Sequence, residues 1–283
     1  MPISPRENEE VLDANRTGRQ PVVFIHGLWT LAKSWRSWRD LFDERGYATV
    51  AADWPGDPTS VEEARRRPQA FGGTSVGAAA DHVAEVIGGL SRRPVLVGHS
   101  FGGKLAEILA GRGLAAGSVS IDRAPGRGIR PLPLAMLRSA FPVLGNPRNR
   151  GRAVTLTYEQ FRYAFANAVS EAEAKDLYDA HHVAAPGLPF FQAALGNLNP
   201  ASETRTEVRN PNRGPMLVIA GGRDHTAPRA ISRAAYNRQQ KNAGVTEFVE
   251  FADRGHSLVF DSGWRDVAET ALGFLARQGV GPN

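Results

Sequence analysis

The strongest constraint on what this chain can fold into is the run Gly98-His99-Ser100-Phe101-Gly102-Gly103. Ahead of it stands the apolar, β-branched stretch Pro94-Val95-Leu96-Val97, and behind it a helical pattern from Lys104 to Arg112. The order predicts a buried strand, a turn too tight for side chains, and a helix. A serine at the apex of such a G-x-S-x-G turn holds a strained backbone so that its hydroxyl projects clear of the sheet. Side chains at 98 and 102 would crowd it. The helix that follows points its first backbone N–H groups toward that hydroxyl, where negative charge would gather on a reacting oxygen. The chain has 30 glycines, so the bare pattern can arise by chance as a structural turn. The flanking strand and helix make it specific, and Ser100 is the candidate nucleophile.

A hydroxyl nucleophile needs a base, and the base needs an orienting group. Two later apolar runs end in suitable residues. Pro215 to Ala220 reads as a fully buried strand opening into Gly221-Gly222-Arg223-Asp224-His225-Thr226-Ala227-Pro228. Thr246 to Phe251 reads as a half-buried strand followed by Asp253-Arg254-Gly255-His256-Ser257. Parallel strands present their C-terminal ends on one edge, so Ser100, Asp224 and His256 are expected to converge there. His256 would take the serine proton and return it to the leaving group. Asp224 would hold the imidazole tautomer.

With these residues the chain resembles the α/β-hydrolase fold superfamily, in its serine-nucleophile branch of esterases and lipases. The resemblance covers about Pro21 to Asp122 and Gly214 to Arg277. It is carried by Val22-Val23-Phe24-Ile25-His26-Gly27-Leu28-Trp29, the serine turn, Gly221 to Pro228, and Gly255-His256-Ser257. It implies the nucleophile–acid–histidine order found here, and an oxyanion hole built from the backbone N–H groups of Leu28 and Phe101. It also implies a mostly parallel sheet with helices on both faces and a largely helical cap inserted after the sixth strand. The expected division is an N-terminal extension over 1–20, a core over 21–123 and 208–283, and a cap (lid) over 124–207.

The pattern along the chain agrees. Pro21–Ile25, Tyr47–Ala52, Val95–Val97 and Gly117–Ile121 read as strands, alternating with helices over Ser34–Arg45, Gly77–Leu90 and Lys104–Arg112. Ser34 is the expected N-cap of the first and Gly46 its stop. After Asp122 the rhythm breaks. Ala124–Arg152 is rich in Pro, Gly and Arg, Tyr158–Val183 looks helical, and Gly214 restores the sheet pattern. Phe141, Leu144, Tyr158, Phe161, Phe165, Phe190 and Phe191 are candidate walls of a pocket under the cap, or else the cap's own small core. Trp29, Phe161 and Phe165 are the substrate-binding candidates. Trp35 and Trp38 are expected to pack their helix on the sheet.

Composition excludes several classes. A chain of 283 residues with 42% hydrophobic content can bury one large domain and a modest insertion. It has no cysteine, hence no disulfide, thiol nucleophile or thiolate metal site. Residues 1–20 are polar and lack the apolar stretch of a signal peptide, and no run approaches a membrane span. The expected location is therefore cytoplasmic. The formal charge of +5 is carried almost entirely by arginines, which are dispersed apart from Arg65-Arg66-Arg67 and the trio Arg148, Arg150 and Arg152. No nucleic-acid module accompanies them, so a nucleic-acid partner is not expected.

Other polar residues have structural readings. His26 is expected to brace the oxyanion loop, and His99 to point away from the place a base must occupy. His181 and His182, adjacent on a helix, do not share a face and make a poor metal pair, so no metal is expected. His225 competes weakly with His256. Asp122, at the end of the strand after the serine helix, is the rival to Asp224 as triad acid. A serine at the turn excludes reactions that need a carboxylate nucleophile there. What remains is acyl transfer, without cofactor, on a small to medium apolar ester, thioester or lactone. Alternatives on the same triad are a cofactor-free perhydrolase or haloperoxidase, and a carbon–carbon hydrolase or hydroxynitrile lyase. A ligand-binding receptor with a vestigial triad is the non-enzymatic alternative. The oligomeric state is not legible.

Overall fold

The computed structural model describes residues 2–282. Helix α1 (Pro5–Thr17) precedes β1 (Pro21–Ile25), α2 (Arg36–Glu44), β2 (Ala48–Ala52), α3 (Val61–Arg66), α4 (Val76–Gly88), β3 (Val95–His99), α5 (Phe101–Gly111) and β4 (Gly117–Ile121). Between β4 and the next sheet strand lie α6 (Leu134–Leu144), a two-residue strand β5 (Ala153–Val154), α7 (Tyr158–Ala164), α8 (Glu171–His181), its partner β6 (Ala185–Pro186) and α9 (Leu188–Ala194). The chain then closes with β7 (Met216–Gly221), α10 (Arg229–Gln239), β8 (Thr246–Phe251) and α11 (Trp264–Arg277).

Six strands form one sheet in the order β2-β1-β3-β4-β7-β8. All its pairs are parallel. This is an α/β-hydrolase fold. The uninterrupted apolar strands follow from burial on both faces. Val22, Phe24, Val95, Val97, Leu217 and Ile219 face one core, with α2 and α11 against it. Val23, Ile25, Leu96, Met216 and Val218 face the other, with α1, α4 and α5. Trp38 and Phe42 of α2 pack on Phe24, as expected, with Trp35 contributed by the turn before the helix. Strand β8 closes one edge, and all six of its residues are half-buried.

Three local expectations shift. Residues 5–17 form a helix, capped by Ser4 and Glu7, so four strands of the sheet precede the insertion where the resemblance counts six. Helix α2 begins at Arg36 without a side-chain cap, because residues 32–35 wind as a tighter turn that uses Ser34 internally. The proline- and arginine-rich stretch after Asp122 holds a complete helix, α6, despite Pro142 within it. Among the described residues no helix is long and apolar enough to cross a membrane.

The register brings the C-terminal ends of the central strands level. Ile25 pairs with Gly98, His99 with Ile121, and Gly221 with Phe251. The segments that follow β1, β3, β4, β7 and β8 therefore leave from one edge.

Candidate active site

Ser100 stands between β3 and α5 with φ +57 and ψ −123. A Cβ at position 98 would overlap the carbonyl of Gly102, and one at 102 would overlap the carbonyl of Ile25. Only glycine fits either place. The serine backbone is tied to the neighbouring strand, with its N–H donating to Ile121 O (2.9 Å) and its carbonyl accepting from Ala124 N–H (3.0 Å). Among the described residues, Trp29, Ser100 and Asp122 are the only non-glycine residues with positive φ. All three follow strands at this edge, which is where strain tends to be stored when geometry serves chemistry.

The imidazole of His256 is fully buried, and its Nδ1 lies 2.6 Å from Asp224 Oδ2. The other carboxylate oxygen of Asp224 accepts from the backbone N–H groups of Thr226 (2.6 Å) and Ala227 (2.9 Å). With Nδ1–H donating to Asp224, Nε2 carries the free lone pair. Nε2 is buried and has no hydrogen-bond partner among the described residues. Phe165 packs edge-on against the ring at 4.7 Å between centroids. His99, one residue before Ser100, donates from Nε2 to the His256 carbonyl (2.9 Å), and the two rings lie 4.5 Å apart. Burial, with His256 adding to it, pushes His99 well below the ordinary histidine range. A neutral His99 thus anchors the loop that carries His256.

Asp122 sits beside this pair rather than on the imidazole. Its Oδ1 accepts from Gly221 N–H (2.6 Å), and its Oδ2 has no donor among the described residues. Burial first, and then the Asp224 carboxylate next to it, hold Asp122 well above the ordinary carboxylate range.

The loop after β1 lies directly against the serine. A Cβ on Gly27 would come within 2.7 Å of Ser100 Cβ and 3.3 Å of Ser100 Oγ. Leu28, next in the chain, and Phe101, next after Ser100, are both buried here. His26 holds this loop from within: its Nδ1 is 2.8 Å from Gly27 O, and its Nε2 is 2.9 Å from Asp57 Oδ2. Burial would lower the His26 pKa, but the Asp57 carboxylate, the Gly27 carbonyl and Asp53 together outweigh it and the net shift is upward. Trp54 Nε1 donates to the His26 carbonyl (3.1 Å). Asp57 was not among the sequence candidates; a lone aspartate in a long loop carries no signal of its partner.

A cavity of about 320 Å³ opens at Ser100 and Phe101. Its walls come from the segment read as irregular, notably Ile129, Leu132, Met136, Leu137 and Ala140, together with Phe190 of α9. The apolar run from Leu132 to Val143 was the available signal. Leu144 lines the cavity, whereas Phe141 is exposed and does not. Trp29, Phe161 and Phe165 do not line it either. Phe161 and Phe165 stack on each other at 5.1 Å, and Trp29 packs between Phe165 and Phe190 while its Nε1 donates to Val154 O (2.9 Å). Their apolar bulk is spent on packing behind His256 and the β1 loop.

His225 bonds the Tyr163 carbonyl, and His182 stacks on Tyr178, so neither meets the serine edge. His181 and His182 are both pushed down to about 4 by burial.

The sequence model of the alpha/beta hydrolase family matches residues 22–270. No curated protein matches the chain. Among solved structures, the monoacylglycerol lipase of Paleococcus ferrophilus superposes with a TM-score of 0.63 at 19% identity, covering 91% of this chain and 94% of that one. A thermophilic esterase from Thermogutta terrifontis gives 0.61 at 19% identity, covering 91% and 90%. A pyrethroid hydrolase from Sphingobium faniae gives 0.60 at 18% identity, covering 90% and 96%. At these identities the likeness is one of fold.

Proposed function

Because the chain belongs to the alpha/beta hydrolase family, we infer that it is a serine hydrolase cleaving carboxylic esters, with thioesters and lactones in the same chemical reach. The observation that carries this is the buried Nε2 of His256, unpartnered while Nδ1 is held by Asp224 at the edge where Ser100 stands. An imidazole oriented in this way is a general base waiting for a proton. Ser100 Oγ adds to the ester carbonyl as its proton passes to His256. The tetrahedral oxyanion is received by the N–H groups of Leu28 and Phe101. Collapse of that intermediate expels the alcohol, which takes the proton from His256 and leaves an acyl group on Ser100. Water, deprotonated by His256, then adds to the acyl carbonyl and releases the acid.

Residues 124–207 act in this reading as the cap that shapes the acyl pocket. The apolar walls at Ile129, Met136 and Leu137 favour a small to medium alkyl chain over a charged one. The names of the structural relatives, a lipase, an esterase and a pyrethroid hydrolase, point the same way. The test is turnover of p-nitrophenyl esters of graded chain length by the native protein and by Ser100→Ala. The native protein should turn over medium chains, and Ser100→Ala should lose all measurable rate while keeping its melting temperature. Retained turnover in Ser100→Ala would remove the serine from the mechanism.

A further inference from the structure

Helix α6 has one face buried through Met136, Ala140 and Val143. Its other face is also apolar, and it is bare. Leu134 is 83% exposed and Phe141 71%, with Leu132 just ahead of the helix at 69%. Across the cavity mouth, at the end of α9, Leu198 is 81% exposed and Leu195 is also bare. Of the eight large hydrophobic residues exposed on the described chain, six belong to this rim, the sixth being Leu137. Soluble proteins scatter such residues singly, so their concentration around one opening marks a contact surface.

Charge identifies the partner. From Arg123 to Tyr158 the chain holds seven arginines and no acidic residue, and none occurs from His182 to Ser202. Arg130, Arg138, Arg148, Arg150 and Arg152 are exposed, and none of them has a carboxylate partner among the described residues. The first carboxylate beyond, Glu203, is occupied by Gly77 N–H (2.6 Å) and Gln192 Nε2 (2.8 Å). A rim of leucine and phenylalanine interleaved with arginines that lack a carboxylate partner, Arg138 resting over the Tyr163 ring at 4.1 Å, fits an apolar layer beneath an anionic one.

We propose that the α6–α9 rim docks on an anionic phospholipid bilayer, with the cavity mouth facing the lipid. Arginine side chains bury their stems against the acyl boundary and keep their guanidinium groups among the phosphates. The exposed leucines and Phe141 enter the headgroup layer. Leu132, Leu137 and Leu198 both line the cavity and join the rim, so the apolar path from bilayer to Ser100 is continuous. An amphiphilic ester could then reach the serine without crossing water. That delivery rests on the acyl-transfer reading above, whereas the docking does not.

The test is sedimentation of the full chain with vesicles of phosphatidylcholine alone and of phosphatidylcholine mixed with phosphatidylglycerol. Stronger binding to the mixed vesicles, weakened by salt, is expected. The triple variant Arg138→Gln, Arg148→Gln, Arg150→Gln should lose about fivefold in partition per arginine, or about a hundredfold in all. The pair Leu134→Ser, Phe141→Ser should lose at least about tenfold. Both variants should keep the native rate on a water-soluble short-chain ester. No binding, equal binding to the two vesicle types, or a dimer in solution that Leu134→Ser, Phe141→Ser dissociates would each overturn the docking. A protein that binds the mixed vesicles yet turns over no ester would refute the chemistry and leave the docking standing.

Discussion

Replacing Asp224 by asparagine separates the two carboxyl groups of the site. Asp224 accepts three hydrogen bonds, two from backbone at 2.6 and 2.9 Å and one from His256 Nδ1 at 2.6 Å. In Asp224→Asn the amide oxygen keeps the Thr226 and Ala227 donors, because reversing the amide would set two N–H groups against them. The NH2 group must then face Nδ1. Nδ1 becomes an acceptor, the ring proton moves to Nε2, and the base is lost. The turn itself is preserved, so the fold should survive. Wrong-tautomer triads lose about 10⁴ in kcat, equivalent to about 5.5 kcal/mol of barrier. Asp122→Asn should behave differently. Among the described residues Asp122 makes no hydrogen bond to the imidazole, and an asparagine there keeps the Gly221 donor, so the rate should stay within about threefold. The assay is kcat on a p-nitrophenyl ester for both variants, with thermal unfolding as the control for folding. A loss under tenfold in Asp224→Asn, or a loss of about 10⁴ in Asp122→Asn, would refute the assignment and move the triad acid to Asp122.

Two further outcomes test the fold around the site. Gly102→Ala drives a methyl into the Ile25 carbonyl and should cost about 3 kcal/mol, read as a fall of roughly 6–12 °C in Tm; an unchanged Tm would contradict the close approach of α5 to β1. Glu7 is buried, which alone would raise its pKa, but bonds from His82, Ser4 and Asp53 bring it down to about 2 from 4.5. Its carboxylate therefore adds about 3 kcal/mol of stability that is complete above pH 4.5 and is lost as the pH falls toward 2. Denaturant titrations should show Glu7→Gln destabilised at pH 7, with the gap to the native protein closing in acid. Parallel stability curves would rule out this account.

The serine turn was legible because its constraint is local. A strand, two positions without room for a Cβ and a helix lie within some twenty residues, and each sets a residue type that can be read directly. Asp224 and His256 were legible as candidates because buried parallel strands announce themselves as apolar runs and chemistry collects at their C-terminal ends. The cavity wall was not legible. Trp29, Phe161 and Phe165 have the composition of a pocket, yet they pack against one another and against His256. The aliphatic residues of α6, in a stretch that looked irregular, line the opening instead. Which face of an aromatic helix meets a cavity depends on neighbours far away in the chain.

From the order of residues alone came the layered α/β architecture, the serine turn and the two loops that carry Asp224 and His256, for each of these is written in short-range periodicity and in glycine where no side chain fits. Tertiary packing alone decided that Asp224 rather than Asp122 holds the imidazole, that Asp57 braces His26, and that the bare apolar rim gathers at a single mouth. Those outcomes turn on distances between residues separated by tens to more than a hundred positions, and no local pattern encodes a distance of that kind.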